Sequence, residues 1–174
     1  MTQKAASHIV LIGFMGSGKS SVARRLARQE KMNSIDMDVY IEREAGMTIP
    51  QIFETEGEAG FREREAAFLV SMFARDTCIL SCGGGTITRD ESCELVKQLG
   101  TVVYLQVSAA EAVSRISHPE TRPLLGGVTS PEQLLASRVR HYEDAANITI
   151  DTSGKSLYKV AQEVTRALRE AGAL

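Results

Sequence analysis

Short, continuous apolar runs alternate with longer amphipathic stretches along this chain. His8-Ile9-Val10-Leu11-Ile12 runs without interruption to Gly13, the pattern of a strand buried on both faces. From Ser20 to Lys31 the residues Val22, Ala23, Leu26 and Ala27 fall on one stripe, which predicts an amphipathic helix. Ser34 to Asp38 reads as a short second strand, and two or three helical segments follow from Val39 to about Arg75. Thr77 to Cys82 is another apolar run, and it stops at Gly83-Gly84-Gly85. A helix is predicted from Asp90 to Leu99, a β-branched strand from Thr101 to Val107, and a helix from Ala109 to Ile116. Pro119, Pro123 and a glycine pair mark His118 to Ser130 as a loop. Pro131 to Ala146 returns to helical character, Asn147 to Asp151 is a last strand, and a helix closes the chain. Strands alternating with helices predict an α/β fold, with about five parallel strands covered on both faces.

The length of 174 residues fits one domain over 1–174, with no linker or repeat to divide it. A net charge of −2, with both signs interleaved, gives none of the basic excess expected of a nucleic-acid binder. Cys78, Cys82 and Cys93 are odd in number and lack metal-ligand spacing, so core packing in a reducing, cytoplasmic compartment is expected. The first apolar run is too short for a signal peptide or a membrane span.

Candidate chemistry begins at Gly13-Phe14-Met15-Gly16-Ser17-Gly18-Lys19-Ser20, which fits G-x-x-x-x-G-K-[ST] at every fixed position. Polyphosphate carries several negative charges, and backbone N–H groups can surround it only where side chains stay clear. Gly13, Gly16 and Gly18 permit that approach, and the following helix aims its positive end at the phosphates. Lys19 is placed to reach the β- and γ-phosphates and Ser20 to hold Mg²⁺. A Gly-rich structural turn is the alternative, and the strand before the motif and helix after it argue against that.

The loop predicts a nucleotide without saying what happens to it. Asp36 and Asp38 flank Met37 at the end of the second strand. If the strand continues, both carboxylates face one crevice, where one can serve the metal and the other a hydroxyl; alternatively they cap the next helix. Arg62 can fork onto a substrate carboxylate or lie on a solvated helix face beside Glu58 and Glu65. The triple glycine suits close approach by a ligand or a tight turn. Arg122 in the predicted loop can close over the phosphates as a lid arginine or be an ordinary surface residue.

The run GFMGSGKSS, then DMDVYIEREAGMTIPQIFETEGEAGFREREAAFL, CGGG, TRPLL and SRVRHY followed by ITIDT resembles shikimate kinases from His8 to about Asp151. The resemblance implies a three-layer P-loop kinase fold with a five-stranded parallel sheet and a lid near 118–130. It implies phosphorylation of the 3-hydroxyl of shikimate by ATP with Mg²⁺, in aromatic amino-acid synthesis, by a cytoplasmic monomer with no nucleic-acid or membrane partner. By the same resemblance Gly13, Gly16, Ser17, Gly18, Lys19, Ser20, Ser21, Arg115 and Arg122 bind ATP, with Ser20 and Asp36 at the metal. Asp38, Lys19 and Arg122 carry catalysis, and Asp38, Arg62, Gly83, Gly84, Gly85, Arg138, Phe53 and Phe61 bind shikimate, with Glu65 behind Arg62. The chain departs from the family with Ser81-Cys82 where Ala-Thr is common, and with Arg140-His141 before Tyr142 where Pro-Leu is common. A kinase with another acceptor, such as gluconate or a nucleoside monophosphate, and a silent nucleotide-binding module are the competing expectations.

Overall fold

The computed structural model describes residues 7–116 and 129–174. Five strands form one parallel sheet in the order β2-β3-β1-β4-β5: β1 is His8–Ile12, β2 Ser34–Asp36, β3 Ile79–Ser81, β4 Gly100–Gln106 and β5 Ile148–Asp151. The helices are α1 (Lys19–Glu30), α2 (Met37–Ala45), α3 (Ile49–Met72), α4 (Asp90–Leu99), α5 (Ala109–Ser114), α6 (Pro131–Ala145) and α7 (Leu157–Glu170).

The unbroken apolar run of β1 is explained by its central place. Ile9 and Leu11 pack on one side with α1 and α7, while Val10 and Ile12 pack on the other with α3, α4 and α6. Helix α7 contributes Val160, Val164 and Leu168, spaced by four and fully buried; burying each such side chain is worth roughly 1.5–3 kcal/mol. His8 begins β1 without exposure to solvent. Its Nδ1 accepts from the Cys78 backbone N–H at 3.2 Å, so the ring proton sits on Nε2 and donates to the Met72 carbonyl at 3.0 Å. The three cysteines are free and buried, in keeping with core packing.

Most predicted elements are present, and one difference matters for the site. The second strand ends at Asp36, and Met37 begins a helix, so Asp38 is not a strand residue. Asp36 caps that helix by accepting from the Val39 N–H. The cap gives the backbone a local partner, and it turns the chain two residues earlier than side-chain alternation suggests.

Helix α3 carries a non-helical residue, Gly57, at φ 71°, a conformation disfavoured for residues with a Cβ. The kink lies just before the half of the helix that carries Glu58, Arg62 and Glu65. The predicted lid, including Arg122, falls almost wholly within 117–128, outside the described residues. Among the described residues no helix is long and apolar enough to cross a membrane.

Candidate active site

Strand β1 is flanked by β3 and β4 while the chain next enters β2. Connections therefore diverge at its carboxyl end, where open α/β sheets collect ligands. The loop 13–18 leaves β1 at that point and feeds α1. Gly16 has φ 76°, and a Cβ there would lie 2.2 Å from the Ala112 carbonyl oxygen; only glycine lets the loop pass α5 this closely. Helix α1 has Gly18 as its N-cap, with no side-chain cap and no acid in its first turn. Its first N–H groups and positive dipole end are thus open to an anion.

A cleft of about 380 Å³ lies over this loop and is lined by Gly16 to Val22, Asp36, Asp38, Ser81, Cys82, Arg115, Thr152 and Lys155, among others. Lys19 is buried and donates to the carbonyls of Gly13 and Phe14 at 2.9 Å each. Ser20 Oγ donates to Asp36 Oδ2 at 2.5 Å and lies 3.3 Å from Ser81 Oγ. Ser17 Oγ is buried with no hydrogen-bond partner among the described residues, as suits a donor awaiting an acceptor within the loop. Oxygen donors from hydroxyls and a carboxylate, beside a polyphosphate cradle, suit a hard cation such as Mg²⁺.

At the other end of the cleft Arg115 donates in its own plane to Thr152 Oγ1 at 3.1 Å, to the Thr152 carbonyl at 2.9 Å and to Glu111 at 2.5 Å. These bonds fix the guanidinium by its edge at the rim of the cleft. Glu111 sits below the usual carboxylate range because the Gly154 N–H and Arg115 donate to it.

The triple glycine follows β3 and gathers the remaining candidates. Arg62 is 6% exposed, so the solvated-face alternative is excluded, although the pairing it anticipated is present. Arg62 meets Glu65 at 2.6 Å and Glu58 at 3.0 Å. A Cβ on Gly85 would lie 2.4 Å from Arg62 Nη2, and one on Gly83 would lie 2.8 Å from Glu65 Oε1 and 3.1 Å from Asp38 Oδ1. A side chain at either glycine would push on charged groups the protein itself packs there, a reason distinct from the ligand approach and the tight turn expected from sequence. Burial raises the Glu65 carboxyl while Arg62 and the Thr86 hydroxyl, 2.6 Å away, pull it back. Arg62 stays firmly cationic: burial opposes its charge, but Glu65 and Glu58 outweigh that.

Arg138 is 5% exposed and donates to the Gly84 carbonyl at 3.3 Å. Arg140 is exposed and turned toward Asp144. Phe53 and Phe61 pack with ring centroids 5.1 Å apart beside Arg62, whose guanidinium carbon is 5.5 Å from the Phe61 ring.

A family model described as shikimate kinase matches residues 15–169. The shikimate kinase of Thioalkalivibrio sulfidiphilus is 40% identical over 173 residues, covering 97% of this chain and 90% of that protein. The shikimate kinase of Halorhodospira halophila is 39% identical, with 95% and 96% covered. The solved shikimate kinase of Acinetobacter baumannii, a complex with shikimate, superposes with a TM-score of 0.88 at 38% identity, covering 95% of this chain and 94% of that one. The chain belongs to the shikimate kinase family.

Several residues of this candidate site were given no role from sequence. Tyr142 donates to the Gly84 carbonyl from a fully buried position, stacked on Tyr104 at 5.0 Å. Ser81, Cys82, Leu157 and Val160 line the nucleotide cleft, and Thr86 holds Glu65. Cys82 and Thr86 flank the triple glycine and Tyr142 follows Arg140-His141, yet nothing in those motifs names the partners these side chains meet. Only the tertiary arrangement gives them away.

Proposed function

We propose that this chain transfers the γ-phosphoryl group of ATP to the 3-hydroxyl of shikimate, giving shikimate 3-phosphate and ADP. The observation that carries the reading is one triple-glycine turn joining a phosphate loop to two buried arginines. Gly84 lines the nucleotide cleft and takes Arg138 on its carbonyl, while Gly85 is in contact with Arg62. Two fixed guanidinium groups beside an uncapped phosphate loop suit an acceptor that carries both a carboxylate and a hydroxyl. Gluconate shares those groups, so the rigid hydrophobic wall of Phe53 and Phe61 is what favours a carbocycle.

In this reading Gly13, Gly16, Ser17, Gly18 and Ser21 surround the phosphates, and Lys19 exchanges its loop carbonyls for the β- and γ-phosphate oxygens. Arg115 stacks on adenine. Ser20 and Asp36 hold Mg²⁺, which when bound neutralises charge on the β- and γ-phosphates. Asp38, in the first turn of α2 and facing the cleft, orients the 3-hydroxyl and receives its proton. Arg62 and Arg138 grip the carboxylate, and Gly83, Gly84 and Gly85 form the floor beneath the ring. Arg122 keeps its lid role on the resemblance. The three free thiols support a reducing cytoplasmic setting, and we place the chain there as a single-domain monomer.

The deciding experiment is ADP release from ATP and Mg²⁺, with and without shikimate, alongside gluconate and nucleoside monophosphates. Strong turnover with shikimate alone is expected. Turnover confined to another acceptor would overturn the substrate, and ATP binding without any turnover would point to a silent module.

Gly85→Ala offers a separate check. Its methyl group would displace Arg62, which two carboxylates hold in place. The KM for shikimate should rise roughly tenfold or more through the misplaced fork, with KM for ATP nearly unchanged. Equal changes in both constants would argue that the turn serves the whole fold instead.

A further inference from the structure

Ser81 is the polar end of an otherwise apolar strand. It ends β3, between Leu11 of β1 and Asp36 of β2 in the sheet register, and is 2% exposed. Its strand neighbours Ile79 and Leu80 are wholly buried in the core. Its side chain nevertheless lines the nucleotide cleft and lies 3.3 Å from Ser20 Oγ. We infer that Ser81 is a further positioning residue of the metal site, a third oxygen that orients Ser20 and accepts from a metal-bound water. The inference rests on the kinase reading above, because it needs the cation that Ser20 and Asp36 are proposed to hold.

The donor count argues for this directly. Ser20 gives its only proton to Asp36 Oδ2 at 2.5 Å. The contact between Ser20 and Ser81 must then be donated by Ser81. Hydrogen bonds thus run in one direction, from Ser81 to Ser20 to Asp36. That order leaves Ser20 one lone pair for the cation and leaves Ser81 with lone pairs only. Water bound to a divalent cation is a strong donor and needs acceptors in its outer sphere. Ser81 and Asp36, paired across adjacent strands, present two such acceptors on one side of Ser20. Alanine at 81 would remove one acceptor and one of the two groups that fix the Ser20 rotamer.

The test uses the full-length chain saturated with ADP and titrated with Mn²⁺, the free ion being read by electron paramagnetic resonance. Ser81→Ala should weaken Mn²⁺ binding about three- to tenfold, the range for losing one neutral hydrogen-bond partner. ADP affinity in EDTA and the thermal midpoint of the metal-free protein should not move. Ser81→Cys, which leaves no cavity but accepts hydrogen bonds weakly, should show the same loss and guards against a cavity defect in the alanine variant. Unchanged Mn²⁺ affinity in both variants would overturn the inference. So would a loss of ADP affinity in EDTA that matches the loss of Mn²⁺, since Ser81 would then be shaping the phosphate loop. The wild-type titration separates the two readings. If wild-type protein with ADP holds Mn²⁺ no better than ADP alone, the metal assignment to Ser20 and Asp36 fails, and the Ser81 inference with it.

Discussion

Asp38→Asn is expected to lower kcat on the order of a thousandfold while the protein folds and binds ATP normally. General-base participation typically contributes 10²–10⁴-fold, and phosphoryl transfer adds a demand for a correctly aimed hydroxyl. Stability should change little. Asp38 is half-buried in the first turn of α2, where a carboxylate near a helix N-terminus contributes about 0.3–1 kcal/mol. The two effects are far apart in size, so kcat measured beside the thermal midpoint distinguishes chemistry from folding. A kcat within about tenfold of wild type, below the range for a general base, would leave Asp38 as a helix-terminus residue only.

Arg62→Ala should produce a second large effect, and it should be a double one. Loss of the guanidinium fork should raise the KM for shikimate about a hundredfold, with little change in KM for ATP. It also strands Glu65, which has no exposure of its own and sits 2.6 Å from Arg62. Breaking a buried pair from one side typically costs about 3–5 kcal/mol. The sign of the pH dependence follows from Glu65, whose carboxyl is already raised by burial. Without Arg62 it rises further, so the unfolded state ionises first as pH increases. The destabilisation should therefore be smallest below the ordinary glutamate range and grow as pH rises through the raised value. Arg62→Lys keeps the charge but not the fork, and should retain most of the stability while still raising KM for shikimate. Unfolding curves at acid and neutral pH, with shikimate saturation kinetics for both variants, test the whole set. A destabilisation independent of pH would show that lost packing, not the stranded carboxylate, dominates.

Much of this site was legible because its chemistry constrains local sequence. The phosphate loop needs its glycines and Lys19 at fixed offsets, and a linear motif records them. Arg138 over Arg140 was readable only from register with the family, and the fold supplies the physical reason: one is buried against Gly84, the other faces solvent beside Asp144. The placement of Asp38 was misread because a three-residue strand gives side-chain alternation too little length to compete with a helix cap. Asp36 took the cap, and the helix began at Met37.

By itself the sequence determined the order of strands and helices, the phosphate loop and the family, since each depends on residues near one another along the chain. The tertiary structure alone decided what the triple glycine is for. Its methyl-free surface is occupied by Arg62 and Glu65 from α3, about twenty residues away. It likewise decided that Tyr142 and Arg138 hold the Gly84 carbonyl, and that Ser81 at the end of β3 meets Ser20 in the first turn of α1. Those contacts depend on how helices α1 and α6 pack against the end of β3. No periodicity within any one segment encodes them, because side-chain partners across a sheet are chosen by the packing of helices on its two faces.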